Sequence, residues 1–108
     1  MISLDRGNFD KEVTQSDLPV VVNLWEPRCP ACIALMPQVE GLAVDYAGRV
    51  KFCKLNRAKN MRLCQDLQLH AKRVPTFLFY RKGKEPCFRL SDDEVTLDSI
   101  RRAVNDFI

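Results

Sequence analysis

The sequence predicts an α/β fold in which a central mixed β-sheet is flanked by helices on both faces. Segments with the pattern of strands alternate with segments of helical period over most of the chain, which then closes with a pair of strands and a final helix. The apolar, β-branched run Val20–Trp25 is typical of a strand buried on both faces. We therefore expect this strand in the middle of the sheet, with helices above and below it.

Composition limits the possible organisation and function. With 108 residues, of which 46% are hydrophobic, the chain is expected to form one domain over residues 1–108. The net charge is +3 and the charges are spread along the chain, so no basic stripe predicts a nucleic-acid partner. No segment has the length of a membrane span or the pattern of a leader. The number of cysteines, five, is odd, which argues against a secreted scaffold held by disulfides. We therefore expect a cytoplasmic monomer that does not bind membranes.

The first half of the chain alternates strands and helices. Ile2–Leu4 is predicted to be a short strand, and Asn8–Gln15 a short helix with Phe9 and Val13 facing inward one turn apart. Pro19 then precedes the strand Val20–Trp25. A long helix from about Cys29 to Tyr46 follows, in which the apolar positions Leu35, Met36, Val39, Leu42, Ala43 and Tyr46 recur at helical spacing. Because Pro37 lacks an N–H, it removes one hydrogen bond and is expected to bend this helix.

The second half is expected to begin where Gly48 ends the long helix. The predicted elements are the strand Val50–Asn56, the helix Asn60–Leu67 with Leu63, Cys64 and Leu67 on one face, the strand Thr76–Tyr80, a strand over Glu85–Leu90, and a last helix with the buried stripe Leu97, Ile100, Val104 and Phe107. Pro86 predicts an edge position for the strand Glu85–Leu90, because proline cannot donate to a ladder. Thr96 is the expected N-cap of the last helix.

Two cysteines separated by two residues mark the junction between the central strand and the long helix. Cys29 is placed where the backbone N–H groups of the first helical turn lack partners, so its thiolate is stabilised relative to its thiol. The positive charge of Arg28 acts in the same direction. The pattern indicates dithiol chemistry with Cys29 and Cys32, although a pair of structural thiols or half a metal site shares the same spacing.

Further motifs give the chain a family resemblance. In order these are Asn8-Phe9-Asp10, the CxxC motif Cys29-Pro30-Ala31-Cys32, Pro37, Lys54-Leu55-Asn56, Val74-Pro75-Thr76 and Lys82-Gly83-Lys84. In order and spacing they resemble the thioredoxin family along the whole chain. The resemblance implies a thioredoxin fold and the activity of a thiol-disulfide oxidoreductase.

The resemblance also implies roles for individual residues. Cys29 would be the nucleophile, Cys32 the resolving thiol, and Pro75 a cis-proline beside them. The substrate groove would be formed by Trp25, Arg28, Pro30, Arg73, Val74, Pro75 and Ser91. No metal or organic cofactor is implied, since the Cys29–Cys32 pair itself would form the redox-active disulfide. The implied partners are proteins with disulfides and an electron donor similar to thioredoxin reductase.

The chain departs from the family pattern at several of these positions. Asn23 replaces a buried aspartate that is thought to move protons to and from the resolving cysteine, and Lys54 then lacks its charged neighbour. The dipeptide Pro30-Ala31 replaces Gly-Pro, which predicts a changed redox potential. Arg28 replaces a tryptophan of the family, and Arg73 replaces a glycine. Ser91 lies near the position at which the family has a glycine in its last loop. We therefore expect a groove that is less apolar and more basic than is usual in the family.

Two other functions remain open at this point. The chain could be a binding module of the same fold with an idle dithiol, or its CxxC could hold zinc or an iron-sulfur cluster. Cys53, Cys64 and Cys87 are expected to be small buried or half-buried apolar side chains. His70 is expected to be a solvated loop residue rather than a metal ligand, because one histidine and scattered cysteines do not have the spacing of a zinc site.

Overall fold

The computed structural model describes residues 1–69 and 73–108, without the side chain of Asp92. Its strands are β1 (Ile2–Ser3), β2 (Val20–Trp25), β3 (Lys51–Asn56), β4 (Thr76–Tyr80) and β5 (Phe88–Ser91), and its α-helices are α1 (Pro30–Asp45), α2 (Met61–Asp66) and α3 (Leu97–Phe107). His70 lies outside the described residues. None of the described helices combines the length and the apolar content that crossing a membrane requires.

The five strands form one mixed sheet in the order β1-β3-β2-β4-β5. The pairs β1/β3 and β2/β3 are parallel, whereas β2/β4 and β4/β5 are antiparallel. This topology confirms the predicted mixed sheet, with β2 at its centre and β5 at its edge. In this register Asn23 of β2 lies between Lys54 of β3 and Phe77 of β4.

Helices cover both faces of the sheet, as predicted. Because side chains of successive strand residues point to opposite faces, β2 contributes to a core on each side. One core contains Val20, Val22 and Leu24 of β2 together with Phe9, Val13, Leu63 and Cys64. The other contains Val21 of β2 together with Val39, Leu42, Ile100 and Val104 from α1 and α3. The central strand is therefore buried on both faces, and α1 starts beside its carboxyl end.

Three segments differ from the prediction by more than one residue or in their type. β5 begins at Phe88 rather than Glu85, because Pro86 cannot donate to the ladder and the first β5 residue paired with β4 is Phe88, opposite Phe79. Residues Asp10–Thr14 form a π-helical segment, in which the amide of Gln15 reaches the carbonyl of Asp10 at 2.9 Å. Residues Asp92–Glu94, for which no helix or strand was predicted, form one 3₁₀ turn.

The last helix begins as the sequence predicts. Thr96 is its N-cap: the Thr96 hydroxyl accepts from the amide of Ser99 at 2.9 Å, and the amide of Thr96 donates to the Ser99 hydroxyl at 2.9 Å. This reciprocal pair of bonds satisfies two donors that a helix start otherwise leaves without partners. Ile100 and Val104 are fully buried against α1 and the sheet.

Candidate active site

Cys29 is the N-cap of α1. Its backbone is extended, with φ −100° and ψ 104°, and its sulfur accepts a hydrogen bond from the amide of Cys32 at 3.1 Å. The turn before it is closed by the amide of Cys29, which donates to the carbonyl of Glu26 at 3.2 Å. Pro30 occupies the first position of the helix, where its missing N–H costs no hydrogen bond. The local sequence therefore places the Cys29 sulfur at the positive end of the helix dipole.

The Val74–Pro75 peptide lies against the same sulfur. This peptide bond is cis, as the resemblance implied, and the Cys29 thiol donates to the carbonyl of Val74 at 3.7 Å. The hydroxyl of Thr76 donates to the carbonyl of Arg73 at 2.8 Å and so fixes the turn that carries Pro75. The structure thus brings Cys29 to the Val74–Pro75 peptide, although Val74 lies 45 residues later in the sequence.

Cys32 differs from Cys29 in its surroundings. Only 1% of its surface is exposed, whereas Cys29 is half-buried. Burial, followed by the hydrogen bond with Cys29, raises the pKa of the Cys32 thiol to about 12. At neutral pH Cys32 therefore holds its proton, while the sulfur of Cys29 is open to solvent and receives a backbone N–H. This asymmetry suits Cys29 to the first attack and Cys32 to the second.

Glu26 and Arg57 form a half-buried ion pair next to the dithiol, which the sequence analysis did not single out. The Nε of Arg57 donates to a carboxylate oxygen of Glu26 at 3.0 Å, and the amide of Arg57 donates to the carbonyl of Trp25 at 2.8 Å. Glu26 acts on the pKa of Cys32 in two opposite ways: its backbone hydrogen bond lowers this pKa, and its negative charge raises it by less. Burial and the Cys29 hydrogen bond have larger effects than either. The only sign of this ion pair in the sequence was the acid Glu26, three residues before Cys29. Its partner Arg57 lies 31 residues further along the chain.

Asn23 lies in the central strand β2 and is buried, with 2% of its surface exposed. Its Nδ2 donates to the sulfur of Met36 in α1 at 3.6 Å, while its Oδ1 has no hydrogen-bond partner among the described residues. Lys54 is its register neighbour on β3. The position of Asn23 can hold a proton donor or acceptor, but the amide side chain of Asn23 does not titrate.

Two of the predicted groove residues share one depression. A depression of about 370 Å³ beside the dithiol is lined by Ala31, Ala34, Leu35, Gln38, Val74, Pro75, Asp93 and Val95. Of the predicted set, this depression includes Val74 and Pro75, and it also presents an acidic residue, Asp93. Arg28, Pro30 and Arg73 are exposed around it. Ser91 lies within β5, where its hydroxyl accepts from Thr76 at 3.2 Å.

Trp25 and Lys54 line a second depression, which measures about 490 Å³ and also includes Pro27, Asn56, Lys59 and Asn60. The indole Nε1 of Trp25 is buried without a hydrogen-bond partner among the described residues. Trp25 is not among the residues that line the depression with Val74 and Pro75.

The remaining cysteines divide into two groups. Cys53 and Cys64 are buried, as predicted, and burial raises the pKa of Cys53 to about 12 and also raises that of Cys64. The prediction of burial was wrong for Cys87, which is exposed because it precedes the edge strand β5. Within the described ranges, no group of three His, Cys, Asp or Glu side chains could hold a metal ion.

Comparison with known proteins identifies a family for this fold and site. The thioredoxin family model matches residues 1–106. A thioredoxin of Acetoanaerobium sticklandii is 30% identical over 108 residues, which cover 100% of both chains. A thioredoxin of Peptoclostridium acidaminophilum is 32% identical over 100 residues, covering 93% of this chain and 88% of the relative. The match to the chloroplastic thioredoxin M5 of Oryza sativa is 29% identical and spans about half of that relative, 48% of its length.

Proposed function

The chain belongs to the thioredoxin family, and from this premise we propose that it exchanges thiols and disulfides on protein substrates through Cys29 and Cys32. The observation that carries the proposal is the unequal pair of thiols at the start of α1. One sulfur is half-exposed and accepts a backbone hydrogen bond at 3.1 Å, and the other is buried with a raised pKa.

The proposed reaction has two exchange steps. The Cys29 thiolate attacks one sulfur of a substrate disulfide, forms a mixed disulfide, and releases the other substrate sulfur as a thiolate. Cys32 then attacks the sulfur of Cys29, its proton passes to a substrate thiolate, and the bond between Cys29 and the substrate breaks. The substrate leaves with one thiol and one thiolate, and the two electrons it has gained come from the Cys29–Cys32 pair, which is now a disulfide.

The proposal needs no metal or organic cofactor, because the dithiol itself carries the electrons. A partner similar to thioredoxin reductase would return the disulfide to its reduced state. We place this reaction in the cytoplasm and assign it to the monomer. The alternative of a binding module with an idle dithiol is not favoured, since both thiols and the Val74–Pro75 peptide stand in a reactive arrangement.

Reduction of insulin by dithiothreitol tests the proposal. The wild-type protein is expected to accelerate the reaction, and Cys29→Ser is expected to abolish the acceleration because it removes the attacking sulfur. Cys87→Ser is the matched control, because it removes an exposed cysteine outside the candidate site. An equal rate with wild type and Cys29→Ser would contradict the proposal and favour the binding module.

A further inference from the structure

Arg28 is an exposed cation that directly precedes Cys29 in the chain. No ion pair or hydrogen bond engages its side chain among the described residues. A substrate disulfide must approach Cys29 from solvent, because Cys32 is buried. Since Arg28 is exposed and adjacent to Cys29 in the chain, we expect the residues that flank the substrate cystine to pass near its guanidinium.

The other charges near Cys29 do not cancel this one. The carboxylate of Glu26 is already paired with Arg57 at 3.0 Å and is half-buried. A second exposed arginine, Arg73, directly precedes Val74, whose carbonyl accepts from the Cys29 thiol. The acid that lines the adjacent depression is Asp93, in the 3₁₀ turn beyond Pro75. The approach to Cys29 thus has a positive charge on the side of Arg28.

We propose that the preferred substrates are protein disulfides with acidic side chains next to the reacting cystine, and that Arg28 selects them. This inference rests on the proposed exchange activity and adds a substrate class to it. A positive charge at the approach to a reactive group accelerates encounter with negatively charged partners and slows encounter with positive ones. Arg28 also offers a planar set of N–H donors that fits a carboxylate.

The expected size of the effect follows from the exposure of Arg28. Ion pairs at exposed sites change an equilibrium or a rate by about two- to fivefold, and salt screens them. The charge of Arg28 also acts on the thiolate of Cys29, but that influence is the same for every substrate. A ratio of rates between two substrates therefore isolates selection by charge from the reactivity of the nucleophile.

The test uses three short peptides, each closed by one internal disulfide. They differ only in the residues that flank one cysteine, which are Glu, Gln or Lys. The rate with the protein is divided by the rate of the same peptide with dithiothreitol alone, which corrects for the intrinsic reactivity of each disulfide. Wild type is expected to reduce the Glu peptide about two- to fivefold faster than the Gln peptide, and the Lys peptide more slowly than both. The differences should shrink as salt rises from about 0.1 M to 1 M, where the screening length falls from about 10 Å to 3 Å.

Variants of Arg28 assign the preference to this residue. Arg28→Gln is expected to remove most of it, Arg28→Lys to keep most of it, and Arg28→Glu to reverse it. Arg101→Gln is the matched control, since it removes an exposed arginine from α3 and should leave the preference unchanged. Equal corrected rates for the three peptides, or a preference that survives Arg28→Gln, would overturn the inference. Failure of the proposed function is distinguishable, because the protein would then not accelerate reduction of the uncharged Gln peptide over the rate with dithiothreitol alone.

Discussion

At the scale of single residues, the two thiols of the site differ most in their exposure. Cys29 is half-buried, whereas Cys32 is 1% exposed and has a pKa raised to about 12, mainly by burial. An alkylating reagent reacts with a thiol that is both ionised and accessible. At neutral pH Cys32 is neither, because its pKa is raised and its side chain is buried. Exposure and the raised pKa of Cys32 thus separate two cysteines that lie only one helical turn apart.

Limited alkylation checks this asymmetry. With limiting iodoacetamide at neutral pH, the reduced Cys87→Ser variant should be labelled first at Cys29, as measured by peptide mass spectrometry. The background substitution is needed because Cys87 is exposed and competes for reagent. The buried Cys53 and Cys64 are internal controls and should be labelled last. Labelling of Cys32 at the rate of Cys29 would show that the assignment of the nucleophile is wrong.

Asn23 is the residue at which an acid is expected to improve the exchange. It is 2% exposed and its Oδ1 has no partner among the described residues. An aspartate there would have a pKa raised by burial, which suits a base that accepts the proton of Cys32 near neutral pH. We predict that Asn23→Asp accelerates insulin reduction and lowers the free energy of unfolding by about 1–3 kcal/mol, since a buried polar group would be imperfectly paired.

Two further variants control for this prediction. Asn23→Leu also removes the hydrogen bond to Met36 but adds no acid, so it should not accelerate the reaction. Asn23→Asp combined with Lys54→Met should lose more stability than the sum of the single changes, because the aspartate would lack its nearest cation. An unchanged reduction rate in Asn23→Asp would mean that proton transfer does not limit the resolving step or does not pass through this position.

Single residues also mark where the sequence was insufficient. The positions of Cys29, Cys32 and Pro75 could be predicted because each belongs to a short motif. The ion pair of Glu26 with Arg57 and the bond of Asn23 to Met36 could not, since both are tertiary contacts between residues 31 and 13 positions apart. Pairing of this kind depends on the register of β2 with β3 and on the placement of α1.

At the scale of elements, the amino end of α1 determines the chemistry of Cys29. The sulfur caps the helix and accepts the amide of Cys32, and Pro30 fixes the first helical residue. These features stabilise the reduced state of Cys29 when it is a thiolate. A disulfide whose reduced form is stabilised has a higher reduction potential.

We therefore predict a reduction potential for the Cys29–Cys32 pair that is less reducing than roughly −270 mV, the thioredoxin reference. Arg28, as an adjacent cation, acts in the same direction. Equilibration with glutathione buffers, followed by quantification of the free thiols of Cys29 and Cys32, measures the value. A potential at or below the reference would show that Pro30 and Arg28 do not stabilise the reduced pair.

Element bounds were predictable where a cap or a buried run defines them. Thr96 and the run Val20–Trp25 both have such a signal, and the structure agrees with the prediction at each. The start of β5 was placed too early because its residues are mostly exposed and carry no clear alternation. The same exposed segment explains why Cys87 was wrongly expected to be buried.

At the scale of the whole molecule, one of the two cores holds cysteines that ionise only at a cost. Cys53 is fully buried in the core on one face of β2, and burial raises its pKa from 9.0 to about 12. Between these two pH values the unfolded chain loses the proton of Cys53 while the folded chain keeps it. Folding stability therefore falls as pH rises through this range.

Urea unfolding of the reduced protein from pH 8 to pH 11 measures this loss. We predict that Cys53 contributes a fall of up to about 1.4 kcal/mol per pH unit above pH 9. Cys53→Ala should be less stable at pH 8, because it leaves a cavity, but its stability should fall less steeply with pH. The exposed Cys87→Ala is the control and should keep the wild-type slope. Identical slopes for wild type and Cys53→Ala would contradict the burial of this thiol.

Trapping of the mixed disulfide tests the central claim, that Cys29 attacks and Cys32 resolves. Reduced Cys32→Ser is mixed with an oxidised protein substrate, and Cys29→Ser and wild type are treated in parallel, all in the Cys87→Ser background. The account predicts a stable covalent complex through Cys29 in Cys32→Ser, none in Cys29→Ser, and free oxidised protein with a Cys29–Cys32 disulfide in wild type. A complex that forms through Cys32 in the Cys29→Ser variant, or no complex with either variant, would contradict it.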